Sequence, residues 1–288
     1  CYIRCLINGT DFFKRMKFPS RQLKLFDKDY LTTRVELFAN QPVSIMECTL
    51  LKGDASDRKF YRVIYQLNSS PARPLSTIIM QLAEIEPKPA FNDMQKFLKD
   101  QGIPVPDIFG FDAERGLIFL MDCGDTHLAD QIKNDPKNTV QWYKKAINII
   151  VDFHTRTTEK MTADCPAKKL FFDTEKLIWE MNFMLEHYVK GMLGNILNPD
   201  EESKIRQALG IVCQTLSDQD RVFTHRDYHS RNIMVYDGNL KVIDFQDARM
   251  GPCQYDLASL LKDSYIVLED PVRKELLEYY IESMKHVG

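Results

Sequence analysis

The sequence predicts a two-lobed α+β fold, on three observations. A strand-rich stretch runs to about Met121, long amphipathic helices follow from Asp122, and one strand-rich island is set among those helices. The first thirty residues mix charged and aromatic side chains without a period and receive no assignment. Residues 31–40 have helical spacing. The period then changes: 48–51 and 60–65 read as strands flanking a Gly-containing turn over 52–57. Residues 68–74, with two prolines and two serines, read as a loop, and 77–80 as a third short strand. Phe91, Met94, Phe97 and Leu98 place a helix over 90–101, closed by Gly102, and 109–111 and 116–121 read as two further strands.

In the second half, Tyr143, Ile147, Ile150 and His154 form one stripe of a helix over 140–154. Asp173 is an N-cap for a helix through 188, and Pro199 sits where a first-turn proline belongs before a helix over 201–216. Asp237-Gly238 between 233–236 and 241–244 predicts a hairpin. The expected division is an N-lobe over 1–121, with its sheet at about 45–121, and a helical C-lobe over 122–288.

Composition narrows the function classes. The 288 residues are 44% hydrophobic with only 12 Gly and 13 Pro, which excludes a disordered or fibrous chain. A net charge of −3 argues against a nucleic-acid partner, and no apolar run approaches the roughly 20 residues that span a bilayer. Seven scattered cysteines, an odd number, predict a reduced, cytoplasmic protein. The chain opens without Met, as a trimmed fragment would. Oligomeric state has no signal in the sequence.

Chemistry concentrates in Phe-Thr-His-Arg-Asp-Tyr-His-Ser-Arg-Asn-Ile-Met-Val at 223–235 and Ile-Asp-Phe-Gln-Asp at 243–247. His225, Asp227, Asn232 and Asp244 occur there at the spacing of a kinase catalytic loop followed by its metal-binding Asp-Phe, with Gln246 where protein kinases have Gly. Phosphoryl transfer needs these types: one carboxylate accepts the proton of an attacking hydroxyl, and an amide oxygen with a second carboxylate holds Mg²⁺ on the nucleotide phosphates. The hairpin between Asn232 and Asp244 would return the second carboxylate to the first loop.

These segments, with Gly-Pro-Cys-Gln-Tyr-Asp-Leu-Ala-Ser-Leu-Leu-Lys-Asp-Ser-Tyr at 251–265, resemble the aminoglycoside phosphotransferase family, which shares the protein-kinase-like fold. Gln246-Asp247 and Lys262-Asp-Ser-Tyr265 look most like its bacterial branch of N-acetylmuramate/N-acetylglucosamine 1-kinases. The likeness spans roughly 45–270. It implies ATP- and Mg²⁺-dependent phosphorylation of a small-molecule hydroxyl, with Asp227 as base and Asn232 and Asp244 as metal ligands. His225 and Arg231 join Asp227 in the candidate catalytic set by their place in the loop, with a loop-fixing ion pair the alternative for Arg231 and for His229. The likeness also implies that Gly53-Asp54-Ala55-Ser56, with Arg58, cradles phosphates, and that the backbone of Met121, Asp122 and Cys123 meets adenine. Family members tend to continue past the point where this chain stops.

One departure stands out: the third strand carries no Lys to grip the phosphates, and Arg58, Lys59, Arg62 and Lys88 are open alternatives. His225 is expected chiefly to hold the loop through backbone hydrogen bonds. His229, Asp247 and Asp263 are candidate substrate contacts, although loop anchoring is the main expectation for Asp247, Asp256 and Asp263. Isolated His127, His154 and His187 read as helix-face residues. The acceptor expected is an amino sugar; an aminoglycoside, a choline-like alcohol, homoserine, or a non-catalytic nucleotide-binding regulator are the rival readings.

Overall fold

In the computed structural model, residues 27–51, 57–194 and 196–287 are described. They fall into two compact units. One holds the described residues up to Asn92 together with Pro106–Cys123; the other holds Asp93–Val105 and the chain from Gly124 onward. Residues 93–105, which precede the expected division at 121, group by contacts with the second unit. Their contacts explain the grouping: the Pro104 carbonyl accepts from Val242 N at 2.8 Å, and a Cβ on Gly102 would sit 3.5 Å from the Arg156 guanidinium.

The sheet unit begins with α1 (Lys28–Ala39), N-capped by Asp27, whose side chain accepts from Tyr30 N, and closed by Asn40 at φ 53°. Five antiparallel strands follow: β1 (Val43–Leu50), β2 (Lys59–Leu67), β3 (Ser70–Gln81), β4 (Ile108–Asp112) and β5 (Leu117–Met121), in the order β1-β2-β3-β5-β4. Strand alternation turns Val43, Ile45, Val63, Tyr65, Ile79, Leu117 and Phe119 to one side, where Leu31 and Val35 of α1 complete the core. Burial of each such side chain contributes about 1.5–3 kcal/mol. Asp112 ties α1 to β4 by accepting from the Tyr30 hydroxyl, Arg34, and the backbone N–H groups of Glu114 and Arg115. Burial alone would raise its pKa, but these donors hold the carboxyl below its ordinary value.

Of the loop expected over 68–74, Asn68 and Ser69 form a turn while 70–74 begin β3. Its prolines are tolerated because β5 pairs only with Thr77–Gln81, so the proline-bearing end of β3 has β2 as its one neighbour in the sheet.

The helical unit takes most of α2 (Ala90–Asp100), then α3 (Leu128–Asn134), α4 (Thr139–Asp152) running into a π-helical turn at Phe153–Thr157, α5 (Thr174–Met184) running into a second at Leu185–Met192, α6 (Pro199–Ser217), α7 (Gln254–Leu261) and α8 (Asp270–Val287). Asp173 caps α5 as expected, and Asn198 with Glu201 forms a capping box around Pro199. Two strand pairs lie among the helices, where the sequence shows one: β7 (Ile233–Tyr236) with β8 (Asn239–Val242), and β6 (Arg221–Thr224) with β9 (Arg249–Pro252). The first is the expected hairpin, with Asp237 at φ 48° and Gly238 at φ 71°, the two positive angles of a type I′ turn. The second joins four-residue segments far apart in sequence and leaves no local signal. His154 is buried with its Nδ1 2.8 Å from the Tyr280 hydroxyl, and burial lowers its pKa to about 4. Among the described residues, Cys48, Cys165, Cys213 and Cys253 are free thiols. No helix among the described residues is long and apolar enough to cross a membrane.

Candidate active site

Residues 225–232 leave β6 and enter β7, and 243–248 leave β8 and enter β9, so two strand pairs aim two short loops at one place. The first loop is held from below by buried groups. Asp256 of α7, fully buried, accepts from His225 N at 2.6 Å and Arg226 N at 2.9 Å. Burial pushes its carboxyl up to about 7 against those two donors. Asp263 accepts from Ser230 N and Tyr265 N, both at 2.7 Å, and the buried Tyr228 hydroxyl donates to the Ala146 carbonyl. His127, at the N-cap of α3 rather than on a helix face, donates through Nδ1 to the Arg231 carbonyl.

His225 is fully buried, and both ring nitrogens meet backbone: Nε2 the Ile243 carbonyl at 3.0 Å, Nδ1 the Asp227 N–H at 3.3 Å. That pattern requires the neutral ring with its proton on Nε2, and burial lowers its pKa to about 4. The imidazole thereby links the two loops.

The candidate metal ligands converge. Asn232 Nδ2 donates to the Asp227 carbonyl at 2.9 Å and lies 3.4 Å from Asp244 Oδ2, while Gln246 Nε2 donates to Asp244 Oδ1 at 2.6 Å. Gln246, which the sequence marks only as a departure from Gly, orients the carboxylate. Two residues here hold left-handed backbone, Arg226 at φ 81° and Asp244 at φ 64°. The donor set fits Mg²⁺, which takes one or two protein oxygens and fills its remaining positions with phosphate oxygens and water. Among the described residues no three His, Cys, Asp or Glu side chains gather into a metal cage.

Of the candidate substrate contacts, Asp247 faces the Arg226 guanidinium at 3.4 Å and is half exposed. Asp263 spends both oxygens on the loop. His229 lies 3.4 Å from Asn232 Nδ2, and its pKa is lowered by burial against the pull of Asp263, Asp227 and Asp244. Arg231 places its guanidinium 4.9 Å from the Tyr265 ring centroid. The sequence gives no warning of Glu180, Arg249 and Tyr255, which collect around Arg226: Glu180 lies 3.8 Å from Arg226 Nε and accepts from the Tyr255 hydroxyl at 3.0 Å.

On the nucleotide-binding side of the reading, Gly53, Asp54, Ala55 and Ser56 lie outside the described residues. Met121 ends β5 with its N–H on the Asp107 carbonyl, and Cys123 is buried. Asp122 grips Arg62 at both oxygens, 2.7 and 3.0 Å, so this open alternative for the phosphate-gripping cation is half of a bidentate clamp. Arg58 is half-buried, and Lys59 and Lys88 are exposed.

A two-unit fold whose helical unit carries paired loops bearing Asp227, Asn232 and Asp244 defines a phosphotransferase of kinase-like architecture. The chain belongs to the phosphotransferase enzyme family, whose model matches residues 47–287. It is 27% identical over 274 residues to the N-acetylmuramate/N-acetylglucosamine kinase of Neisseria meningitidis, covering 93% of this chain and 74% of that one. With the protein of the same name from Pseudomonas aeruginosa it shares 28% over 213 residues, 72% of this chain and 60% of the other. With that of Pseudomonas putida it shares 30% over 176 residues, 61% and 49%. The matches thus span between half and three quarters of these relatives. Among solved structures, an ADP-bound aminoglycoside phosphotransferase superposes with a TM-score of 0.57 at 14% identity, over 92% of this chain and 86% of that one. An ethanolamine kinase of Plasmodium vivax superposes with 0.55 at 14%, over 92% and 77%. At that identity the likeness is one of fold.

Proposed function

We propose that the protein is an ATP-dependent sugar kinase that phosphorylates the anomeric hydroxyl of N-acetylmuramate or N-acetylglucosamine in the cytoplasm. The convergence of Asn232 on both the Asp227 backbone and the Asp244 carboxylate carries the reading. The names of the relatives, at 27–30% identity, support the acceptor.

In this reading Asp227 accepts the proton of the sugar hydroxyl as its oxygen attacks the terminal phosphorus; the new O–P bond forms as the bond to ADP breaks. Asn232 and Asp244 would hold Mg²⁺, which when bound would supply neutralisation of charge on the phosphates. Gln246 fixes Asp244, and His225 acts as a positioning residue through its backbone contacts. The nucleotide-contacting set is Gly53, Asp54, Ala55, Ser56 and Arg58 with the backbone of Met121, Asp122 and Cys123.

ADP release measured with a panel of amino sugars, aminoglycosides and choline tests this. Stimulation by an amino sugar is expected, and Asp227→Asn should cut turnover by several orders of magnitude while ATP binding persists. Retained turnover overturns the base assignment; stimulation only by aminoglycosides or choline overturns the acceptor; no stimulation at all revives a regulator.

A further inference from the structure

Beside Asp227 the helical unit assembles three cations. Arg226 precedes it in the loop, Arg249 opens β9, and Lys176 comes from the first turns of α5. Two carboxylates serve them. Glu180 is shared between Lys176 at 4.0 Å and Arg226 at 3.8 Å, and it also accepts from Tyr255; Asp247 reaches Arg226 at 3.4 Å. Arg249 is the anomaly. It is only 9% exposed, yet among the described residues it meets no carboxylate within ion-pair distance. Its Nε makes one long contact, 3.4 Å, to the Asp247 carbonyl, and its guanidinium lies 5.0 Å from the Phe172 ring centroid.

Glu180 and Asp247 act on this guanidinium only from beyond ion-pair distance. A largely desolvated guanidinium without a contacting carboxylate is costly, and an arriving anion relieves that cost. Burial, together with Arg226, holds Arg249 below its usual basicity against the pull of Glu180 and Asp247, and burial with both arginines lowers Lys176 against the same two carboxylates. An exposed aromatic face adjoins the cations: Lys176 Nζ lies 3.7 Å from the ring centroid of Trp179, which is 52% exposed. A flat apolar face next to a cation suits a small organic acid with a ring better than a free inorganic anion.

We propose that Arg249 and Lys176, with Arg226, bind a carboxylate carried by the acceptor sugar and so select acidic over neutral sugars. The proposal rests on the sugar-kinase reading above. N-acetylmuramate carries such a carboxylate on its lactyl group, and N-acetylglucosamine does not.

The test compares kcat/KM for N-acetylmuramate, its methyl ester and N-acetylglucosamine in the wild type, Lys176→Met and Arg249→Met. The wild type should prefer the acid over its ester by about 10- to 100-fold, the range of a charge-assisted contact. Both variants should erase that preference through KM for the acid, with KM for ATP and kcat/KM for N-acetylglucosamine within about twofold of wild type. Lys176→Arg should restore most of it. Where Arg249→Met does not fold, Lys176→Met decides. An acid-to-ester ratio near one in the wild type, a ratio unchanged in the variants, an equal loss for all acceptors, or a rise confined to KM for ATP (nucleotide phosphate as the anion) each overturns the proposal. Phosphorylation of sugars without carboxylate preference leaves the sugar-kinase reading standing; no phosphorylation of any sugar removes both.

Discussion

Arg226 and Asp244 hold left-handed backbone without being glycine, at a cost of about 1–3 kcal/mol each. The other two such residues, Asn40 and Asp237, sit in a helix cap and a hairpin turn, where the conformation is routine. Arg226 is held in place by Asp256, which accepts its N–H and that of His225. Asp256→Asn puts an amide donor or a weaker acceptor against one of those N–H groups. It should lower stability by about 2–4 kcal/mol and kcat by at least tenfold, with KM for ATP little changed; chemical unfolding and steady-state kinetics check this. The residues of the motif were legible in the sequence because each loop is short and its spacing local. Glu180, Arg249 and Tyr255 were not, since their roles arise from which charges tertiary packing brings to Arg226.

Packing between elements sets two further expectations. In β9, a Cβ on Gly251 would meet the buried Phe172 ring at 2.5 Å and Thr224 Oγ1 at 3.0 Å, and Phe172 is itself stacked on Tyr255 at 4.3 Å. Gly251→Ala should therefore cost about 1–3 kcal/mol in thermal or denaturant unfolding, since neither neighbour has room to retreat. Between α4 and α8, His154 is buried with its Nε2 unpartnered among the described residues, and its pKa falls from 6.5 to about 4. The unfolded chain binds a proton near pH 6.5 that the folded one refuses until about pH 4. His154 thus favours the folded state above pH 6.5, and that contribution is lost as pH falls toward 4. Fully buried His225 adds a term of the same sign, and Asp256, with its raised pKa, opposes both. His154→Leu should reduce the slope of stability against pH between 4 and 6.5 by about 1.4 kcal/mol per pH unit relative to wild type. Helices and the β7–β8 hairpin were readable because their caps, period and turn residues are local. The β6–β9 pair was not, because the partners of four-residue strands are chosen by contacts distant in sequence.

For the molecule as a whole, the net charge of −3 offers little long-range attraction to a polyphosphate. Nucleotide affinity in this reading rests on Mg²⁺ and local groups, and that can be seen as thermal stabilisation. Saturating MgATP, about 100 times its Kd, should stabilise the fold by about 2.7 kcal/mol. Much of that gain should vanish with EDTA or with Asp244→Ala, and survive in Asp227→Asn; equal stabilisation with and without metal in the wild type would count against Asp244 as a ligand. The interleaving of the units belongs to this scale as well. Residues 93–105 lie between strands of one unit in sequence and pack within the other, a grouping that a division read along the chain does not contain.

The sequence by itself determined the α+β class, most elements, the catalytic-type motif and the family, because period, caps, turns and motif spacing are written over a few neighbouring residues. Tertiary structure alone decided the β6–β9 pair, the membership of 93–105, the burial that neutralises His154 and His225, the clamp of Asp122 on Arg62 and the gathering of Arg226 and Lys176 near Arg249. Those depend on which distant side chains exclude water together, and desolvation and charge balance belong to a place in the fold rather than to a stretch of chain.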